Sequence, residues 1–125
     1  MKKTSGQSLL EMVVAIAVVL IVIVALVAVT TVSVRNAGFS RNQALATKYA
    51  QEGIEEARKL RDSQKEDVFF VDGSCSTTKT IGIFSFQRTC TLAGDKTMTV
   101  TVVVSWTDAK GTHKSELKTY LTNWK

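Results

Sequence analysis

Few residues in this chain have the type and spacing that catalysis would need. His113 is the only histidine, and no second metal ligand accompanies it at helical or strand spacing. We expect it on the solvated surface, just past a predicted turn. Ser74 and Ser76 have no evident base near them, and the isolated turn glycines form no phosphate loop. The sequence therefore predicts a protein that is not an enzyme, with no cofactor and no metal site.

The two cysteines, Cys75 and Cys90, form an even pair without the spacing of a metal motif. If this part of the chain is exported to an oxidising compartment, we expect a disulfide between them. It would close a surface loop and contribute about 3 kcal/mol by chain-entropy estimates. Two reduced cysteines that merely pack are the alternative.

The charges are mixed in sign and scattered along the chain. The formal net charge is +5, and two of the basic residues are Lys2 and Lys3 at the very start. A nucleic-acid interface would need basic residues clustered on one face. The distribution instead indicates an ordinary solvated surface, so nucleic acid is not predicted as a partner.

The first third of the chain is dominated by an apolar run. From Met12 to Val34, 23 residues carry no ionisable side chain. As an α-helix they would extend about 34 Å, enough to cross a bilayer. In lipid the backbone must satisfy its own hydrogen bonds, so a helix is the structure expected of a single spanning segment.

The residues before this run are unlike those of a standard secretory signal. A polar segment, Thr4–Ser8, separates the two lysines from the apolar residues, and Glu11 follows after only two leucines. A carboxylate at the mouth of a membrane helix is costly and is usually functional. An acid near a helix N-terminus is also favoured by the helix dipole, so the residues alone leave both interpretations of Glu11 open.

The stretch Gly6-Gln7-Ser8-Leu9-Leu10-Glu11, followed by the apolar run, resembles the cleavage and methylation signature of type IV pilins and pseudopilins. The family pattern is a glycine, often a phenylalanine, a small hydroxyl residue, two aliphatic residues and a glutamate. Gln7 departs from it, since phenylalanine is commoner there. The family also often places a proline within the apolar helix, and this chain contains none.

The resemblance implies a maturation and assembly route. A prepilin peptidase would cut between Gly6 and Gln7 on the cytoplasmic side, and Gln7 would be N-methylated. Glycine suits the cut because its backbone enters a narrow site without a side chain. The mature chain would have 119 residues, which is 125 minus six. Glu11 would then pair with the α-amino group of a neighbouring subunit, because an unpaired charge is expensive in an apolar filament core.

The residues after Val34 predict that the helix continues to about Ser63. Leu45, Tyr49, Gly53 and Ala57 recur at intervals of four, and Ala46, Ala50, Ile54 and Leu60 lie beside them. We expect this stripe to pack under a small head domain. Gly38 is the expected weak point, where the helix could bend or unwind.

The remaining chain predicts a small antiparallel sheet. Thr97–Trp106 alternates between apolar and polar residues, Asp108–Gly111 resembles a turn, and Lys114–Leu121 alternates again, which together indicate a hairpin. Ile81–Phe86 and Arg88–Leu92 are shorter candidate strands. Trp106 and Trp124 are expected to pack at the edges of the sheet.

The predicted fold is α+β: a long N-terminal helix, hydrophobic and then amphipathic, packed against a small antiparallel β-sheet head. The predicted segments are a leader (1–6), a transmembrane and filament-core helix (7–34), the amphipathic half of the helix (35–63) and the head (64–125).

The resemblance implies a subunit of a type IV pilus or related filament. It would lie first in the cytoplasmic membrane as a single-pass protein and then in an extracellular fibre. Its partners would be the lipid bilayer, itself or homologous pilins, prepilin peptidase, and a membrane assembly platform with its ATPase.

Two alternatives stay open. The first is a pseudopilin of a secretion apparatus, although Asp72 and Asp95 lack the calcium-loop spacing that a head site of some pseudopilins would need. The second is an uncleaved membrane anchor that displays a binding head.

Overall fold

The computed structural model describes residues 5–123 of the chain. Lys2 and Lys3 of the predicted leader, and Trp124, lie outside the described residues. The elements are a long helix α1 (Ser5–Ser63), a short helix α2 (Glu66–Phe69) and four strands, β1 (Thr77–Ile81), β2 (Phe84–Gly94), β3 (Thr97–Asp108) and β4 (Gly111–Thr122). This order confirms the predicted α+β architecture of one long helix followed by an antiparallel sheet. Contacts divide the chain into one unit that ends at Phe39 and another that begins at Ser40.

The described part of the first unit consists of the apolar turns of α1. The hydroxyl groups of Thr30 and Thr31 both donate to the carbonyl oxygen of Val27, at 2.9 Å. These bonds satisfy the polar side chains within the helix itself, as an apolar environment requires. Gly38 lies inside α1 and the helix is uninterrupted there, so the chain does not unwind at this residue. One glycine costs a helix only about 1 kcal/mol, which long flanking turns can offset.

The second unit contains the last turns of α1, α2 and the sheet. The stripe predicted on α1 is its buried face: Ala46, Ala50 and Ala57 are fully buried, and Leu45, Tyr49, Ile54 and Leu60 pack at its edges. Small residues along the centre of the stripe let the helix lie close to the sheet. An amphipathic helix with this spacing buries one face and leaves the charged residues exposed.

At Gly53 the helix and the sheet approach each other closely. A Cβ atom at Gly53 would lie 2.6 Å from Cζ and 2.7 Å from Cε2 of Phe86, and 3.2 Å from Cγ1 of Val102. Those distances are shorter than van der Waals contact, so the packing of β2 and β3 on the helix requires glycine here.

The four strands form one antiparallel sheet in the order β1-β2-β3-β4. The β3–β4 register runs from Thr97 opposite Thr122 to Asp108 opposite Gly111, and β2 pairs with β3 with an irregularity between Leu92 and Gly94. Alternate side chains point to opposite faces of a strand. The inward face of β3 is fully buried, as its alternation predicted: Met98, Val100, Val102, Val104 and Trp106.

One strand prediction in the head was wrong. Ile81–Phe86 is not a strand, because the chain turns at Gly82 and Ile83, between β1 and β2. Gly82 has a φ of 59°, a left-handed conformation that glycine adopts without strain, and Ile83 is exposed. Cys75 and Cys90, at the two ends of the predicted surface loop, are themselves buried in the core.

Candidate assembly segment and the head core

The residues of the proposed cleavage and assembly segment lie in the first described turns of α1. Gly6, Gln7 and Glu11 are helical and exposed. Gln7 and Glu11 are four residues apart, so they share one face of the helix, about 6 Å apart along its axis. The partner that the resemblance implies for Glu11 belongs to a neighbouring subunit, and the structure contains a single chain.

The apolar side chains that follow Glu11 are exposed along the whole segment. The large hydrophobic residues from Leu9 to Val34 leave 50–73% of their surface uncovered. By length and composition, one helix among the described residues, Gly6–Ser63, could cross a membrane. So much exposed apolar surface requires another apolar phase, either lipid or other helices.

The structure joins Cys75 to Cys90 in a disulfide, with their Cα atoms 5.6 Å apart. Hydrogen bonds hold the same segment along β2. The Gly73 amide donates to the Cys90 carbonyl at 2.9 Å, and the Cys90 amide donates to Oγ of Ser76 at 3.0 Å. The Leu92 amide donates to Oδ1 of Asp72 at 3.0 Å. The disulfide and these hydrogen bonds therefore hold a segment beside β2, in the part of the chain just before β1 begins.

Arg88 is an important residue that the sequence analysis missed. Only 5% of it is exposed, and it lies on the inward face of β2 between Phe86 and Cys90. Its Nε donates to the Cys75 carbonyl at 2.7 Å. Its Nη1 donates to the Gly53 carbonyl at 3.0 Å and to Oε2 of Glu56 at 3.1 Å. One guanidinium thus ties together α1, β2 and the disulfide segment. The alternation of β2 places Arg88 inside, and that pattern was the available signal.

Glu56 is the charged partner of this buried arginine. Its carboxylate also accepts a hydrogen bond from Nζ of Lys79 at 3.1 Å. Burial raises the pKa of the Glu56 carboxyl, but the hydrogen bond and charge of Lys79 and the charge and hydrogen bond of Arg88 together hold it below its ordinary value. A buried arginine is tolerated only with such pairing, since an unpaired charge inside a protein is costly.

His113 is half-buried, so the expected solvated position was wrong. Its ring centroid lies 5.4 Å from that of Trp106, and its Nε2 is 3.0 Å from Oδ1 of Asp108. The same carboxylate accepts the Lys110 amide at 2.7 Å. The Lys110 amide bond and then the His113 hydrogen bond lower the pKa of Asp108. This arrangement closes the β3–β4 turn and packs against Trp106, which lies in the core rather than at an edge.

Within residues 5–123, no group of three or more histidine, cysteine, aspartate or glutamate side chains could hold a metal ion. The side chains that converge in the head form a packed core and an ionic cluster, which consists of Arg88, Glu56 and Lys79. That cluster connects elements of the fold through its hydrogen bonds.

Comparison with known proteins identifies the N-terminal segment. Residues 1–27 match the family described as the prokaryotic N-terminal methylation motif, which is the signature of type IV pilins. Comparisons with curated proteins and with solved structures gave no significant match. The motif at residues 1–27, the long apolar helix and the four-stranded sheet together support a type IV pilin-like or pseudopilin-like protein. This class points to a structural role and to assembly with other pilins.

Proposed function

We propose that the chain is a structural subunit of a type IV pilus or a closely related filament. It is inserted in the cytoplasmic membrane, cut between Gly6 and Gln7 by prepilin peptidase, methylated at Gln7 and polymerised through its apolar helix. The observation that carries this proposal is the match of residues 1–27 to the methylation motif. The functional segments are those predicted above: 1–6, 7–34, 35–63 and 64–125.

The exposure of the apolar helix supports polymerisation. Before assembly, lipid covers the side chains between Leu9 and Val34, and after assembly the helices of neighbouring subunits cover them. Within this segment only Glu11 requires a charged partner. The free α-amine of a neighbouring Gln7 supplies that partner, which sets the register between subunits.

Two features of the head suit a position outside the cell. The disulfide between Cys75 and Cys90 is stable in an oxidising compartment. The ionic cluster of Arg88, Glu56 and Lys79 holds α1 against the sheet, so the head stays attached to the helix by which the subunit is anchored. These features favour an extracellular position for the second unit.

The experiment is a shearing assay in a host that carries a filament assembly system. Cells that express the chain are sheared, and the protein is quantified in the filament and membrane fractions, with and without prepilin peptidase. The proposal predicts sheared filaments that contain the chain only when the peptidase is present. Membrane protein in both hosts and filaments in neither would instead indicate an uncleaved anchor. Filaments only with a secretion apparatus would indicate a pseudopilin.

A further inference from the structure

The residue at the proposed new N-terminus is Gln7, whose side-chain amide can react with its own α-amine. Cleavage after Gly6 would leave Gln7 with a free α-amine. Attack of this amine on the side-chain amide of the same glutamine closes a γ-lactam ring. We propose that Gln7 cyclises to pyroglutamate, and that this neutral end competes with the methylated one. This inference rests on the proposed function, because it needs the cut between Gly6 and Gln7.

The reaction is a simple acyl transfer within one residue. The lone pair of the uncharged α-nitrogen attacks Cδ of Gln7, and a new bond forms between these two atoms. The bond from Cδ to Nε2 breaks, a proton of the attacking amine leaves with Nε2, and ammonia is released. No electrons are transferred to or from the residue, so the step needs no oxidant, reductant or cofactor.

The position of Gln7 in the structure is compatible with the ring. Gln7 is exposed in the first described turn of α1. A lactam restrains the backbone torsion φ as the ring of proline does, and proline is well tolerated at the first position of a helix. The α-helix can therefore begin at a cyclised Gln7 without distortion of the turns that follow.

The charge of the mature N-terminus depends on which product forms. A free or methylated α-amine carries a proton at neutral pH, whereas a lactam nitrogen does not. Between Gln7 and Val34 the only ionisable side chain is that of Glu11. A cyclised subunit thus brings one negative charge and no positive charge to the start of the helix.

This charge difference would separate the two products during assembly. A cyclised N-terminus leaves the Glu11 carboxylate of a neighbour without a cation in an apolar core, which is strongly unfavourable. A methylated α-amine keeps its positive charge, so it can still pair with the Glu11 carboxylate of a neighbour. Cyclised subunits should therefore remain in the membrane, and methylated subunits should enter filaments.

The test measures the mass of the N-terminal peptide in both fractions. The full chain is produced with prepilin peptidase, and membranes and sheared filaments are digested separately. A synthetic, isotope-labelled peptide that begins with the same glutamine is added at lysis to measure cyclisation during handling. We expect a peptide that starts at residue 7 and lacks one ammonia in the membrane pool, above the level of the labelled peptide. It should be depleted at least about tenfold in filaments, equivalent to 1.4 kcal/mol of discrimination.

Gln7→Asn is the matched control. Asparagine keeps the amide and the polarity, but the same attack would close a strained β-lactam, so the α-amine should stay free and a larger share of the protein should enter filaments. Absence of the cyclised peptide above the handling level, or equal abundance in both fractions, would overturn this inference alone. A start at Met1 in every fraction would overturn both the inference and the proposed function.

Discussion

Glu11 is the residue on which assembly depends most directly in this account. It lies four residues after Gln7 in a segment that otherwise carries no ionisable side chain up to Val34. A carboxylate in that position raises the free energy of any apolar assembly that leaves it unpaired. In the proposed filament, the α-amine of another subunit would offset this cost.

Replacement of this carboxylate should separate insertion from assembly. We expect Glu11→Ala to enter the membrane in normal amounts, because the apolar helix is intact. Removal of one partner from a buried charge pair typically costs ~3–5 kcal/mol, so the yield of sheared fibres should fall more than about tenfold. Glu11→Asp, which keeps the carboxylate, should restore part of the yield. Equal fibre yield from Glu11→Ala would refute the pairing.

Gly53 limits how closely the sheet can approach the helix. A methyl group there would overlap the ring of Phe86, which is only 1% exposed. Overpacking costs about 1–3 kcal/mol, against a gain of about 0.5–1 kcal/mol in helix propensity from glycine to alanine. We expect Gly53→Ala to destabilise the head by roughly 1 kcal/mol and to lower its Tm by about 4–8 °C.

The matched control lies in the same helix. Among the described residues, nothing outside the local helix backbone lies within 4 Å of the place that a Cβ atom of Gly38 would take, so Gly38→Ala should leave the Tm of the head unchanged. The Tm of each variant can be followed in detergent through the fluorescence of the tryptophans, since Trp106 is buried in the head core. A Tm for Gly53→Ala equal to or above that of the parent would contradict the close packing described here.

Glu56 and Asp108 give the head a dependence on pH. The pKa of each carboxyl is lower in the folded state than its ordinary value. Such a group stabilises the fold above its ordinary pKa, and this contribution is lost as the pH falls through the lowered folded value. Unfolding by denaturant at a series of acidic pH values should show the loss. Glu56→Gln should be less stable at neutral pH and lose less stability on acidification. If the stability of Glu56→Gln fell with pH as steeply as that of the parent protein, the role assigned to the ion pairs of Glu56 would be contradicted.

At the scale of elements, the segment between α2 and β1 depends on its tie to β2. The disulfide between Cys75 and Cys90 closes a short loop, for which chain entropy gives about 3 kcal/mol. The double variant Cys75→Ala/Cys90→Ala should lose about that much stability, measured by denaturant unfolding. Chemical reduction of the parent protein should lower its stability by a similar amount. Thiol labelling of the exported protein without reductant would show that the bond is not formed.

The elements differ in how well the sequence could predict them. The alternation of β3 and the spacing of Ala46, Ala50 and Ala57 were sufficient, because one face of each element is buried and the other is exposed. The β1–β2 turn was missed, since Gly82 interrupts an apolar run that also fits a strand.

The partners of Arg88 could not be predicted, for a different reason. A charged side chain inside a sheet is stable only with partners such as Glu56 and the Gly53 carbonyl, which are distant in the sequence. The proposed cleavage and assembly residues, by contrast, are adjacent in the chain. A local pattern was therefore enough to propose roles for Gly6, Gln7 and Glu11, whereas the contacts of the head needed the fold.

At the scale of the whole molecule, the chain has two units that need different surroundings, and α1 contributes residues to both. The unit that ends at Phe39 exposes apolar side chains and needs lipid or other helices around it. The unit that begins at Ser40 has its own core, disulfide and ionic cluster. A chain of this kind fits insertion in a membrane first and packing into a filament later, provided that the leader is removed without loss of the helix.

Removal of the leader is the central claim, and one measurement tests it most directly. The protein is extracted from membranes of a host with prepilin peptidase and a host without it, and its intact mass and N-terminal sequence are determined. The account predicts a start at Gln7, as the methylated or the cyclised residue, only where the peptidase is present. A start at Met1 in both hosts would contradict it and would leave an uncleaved membrane anchor in its place.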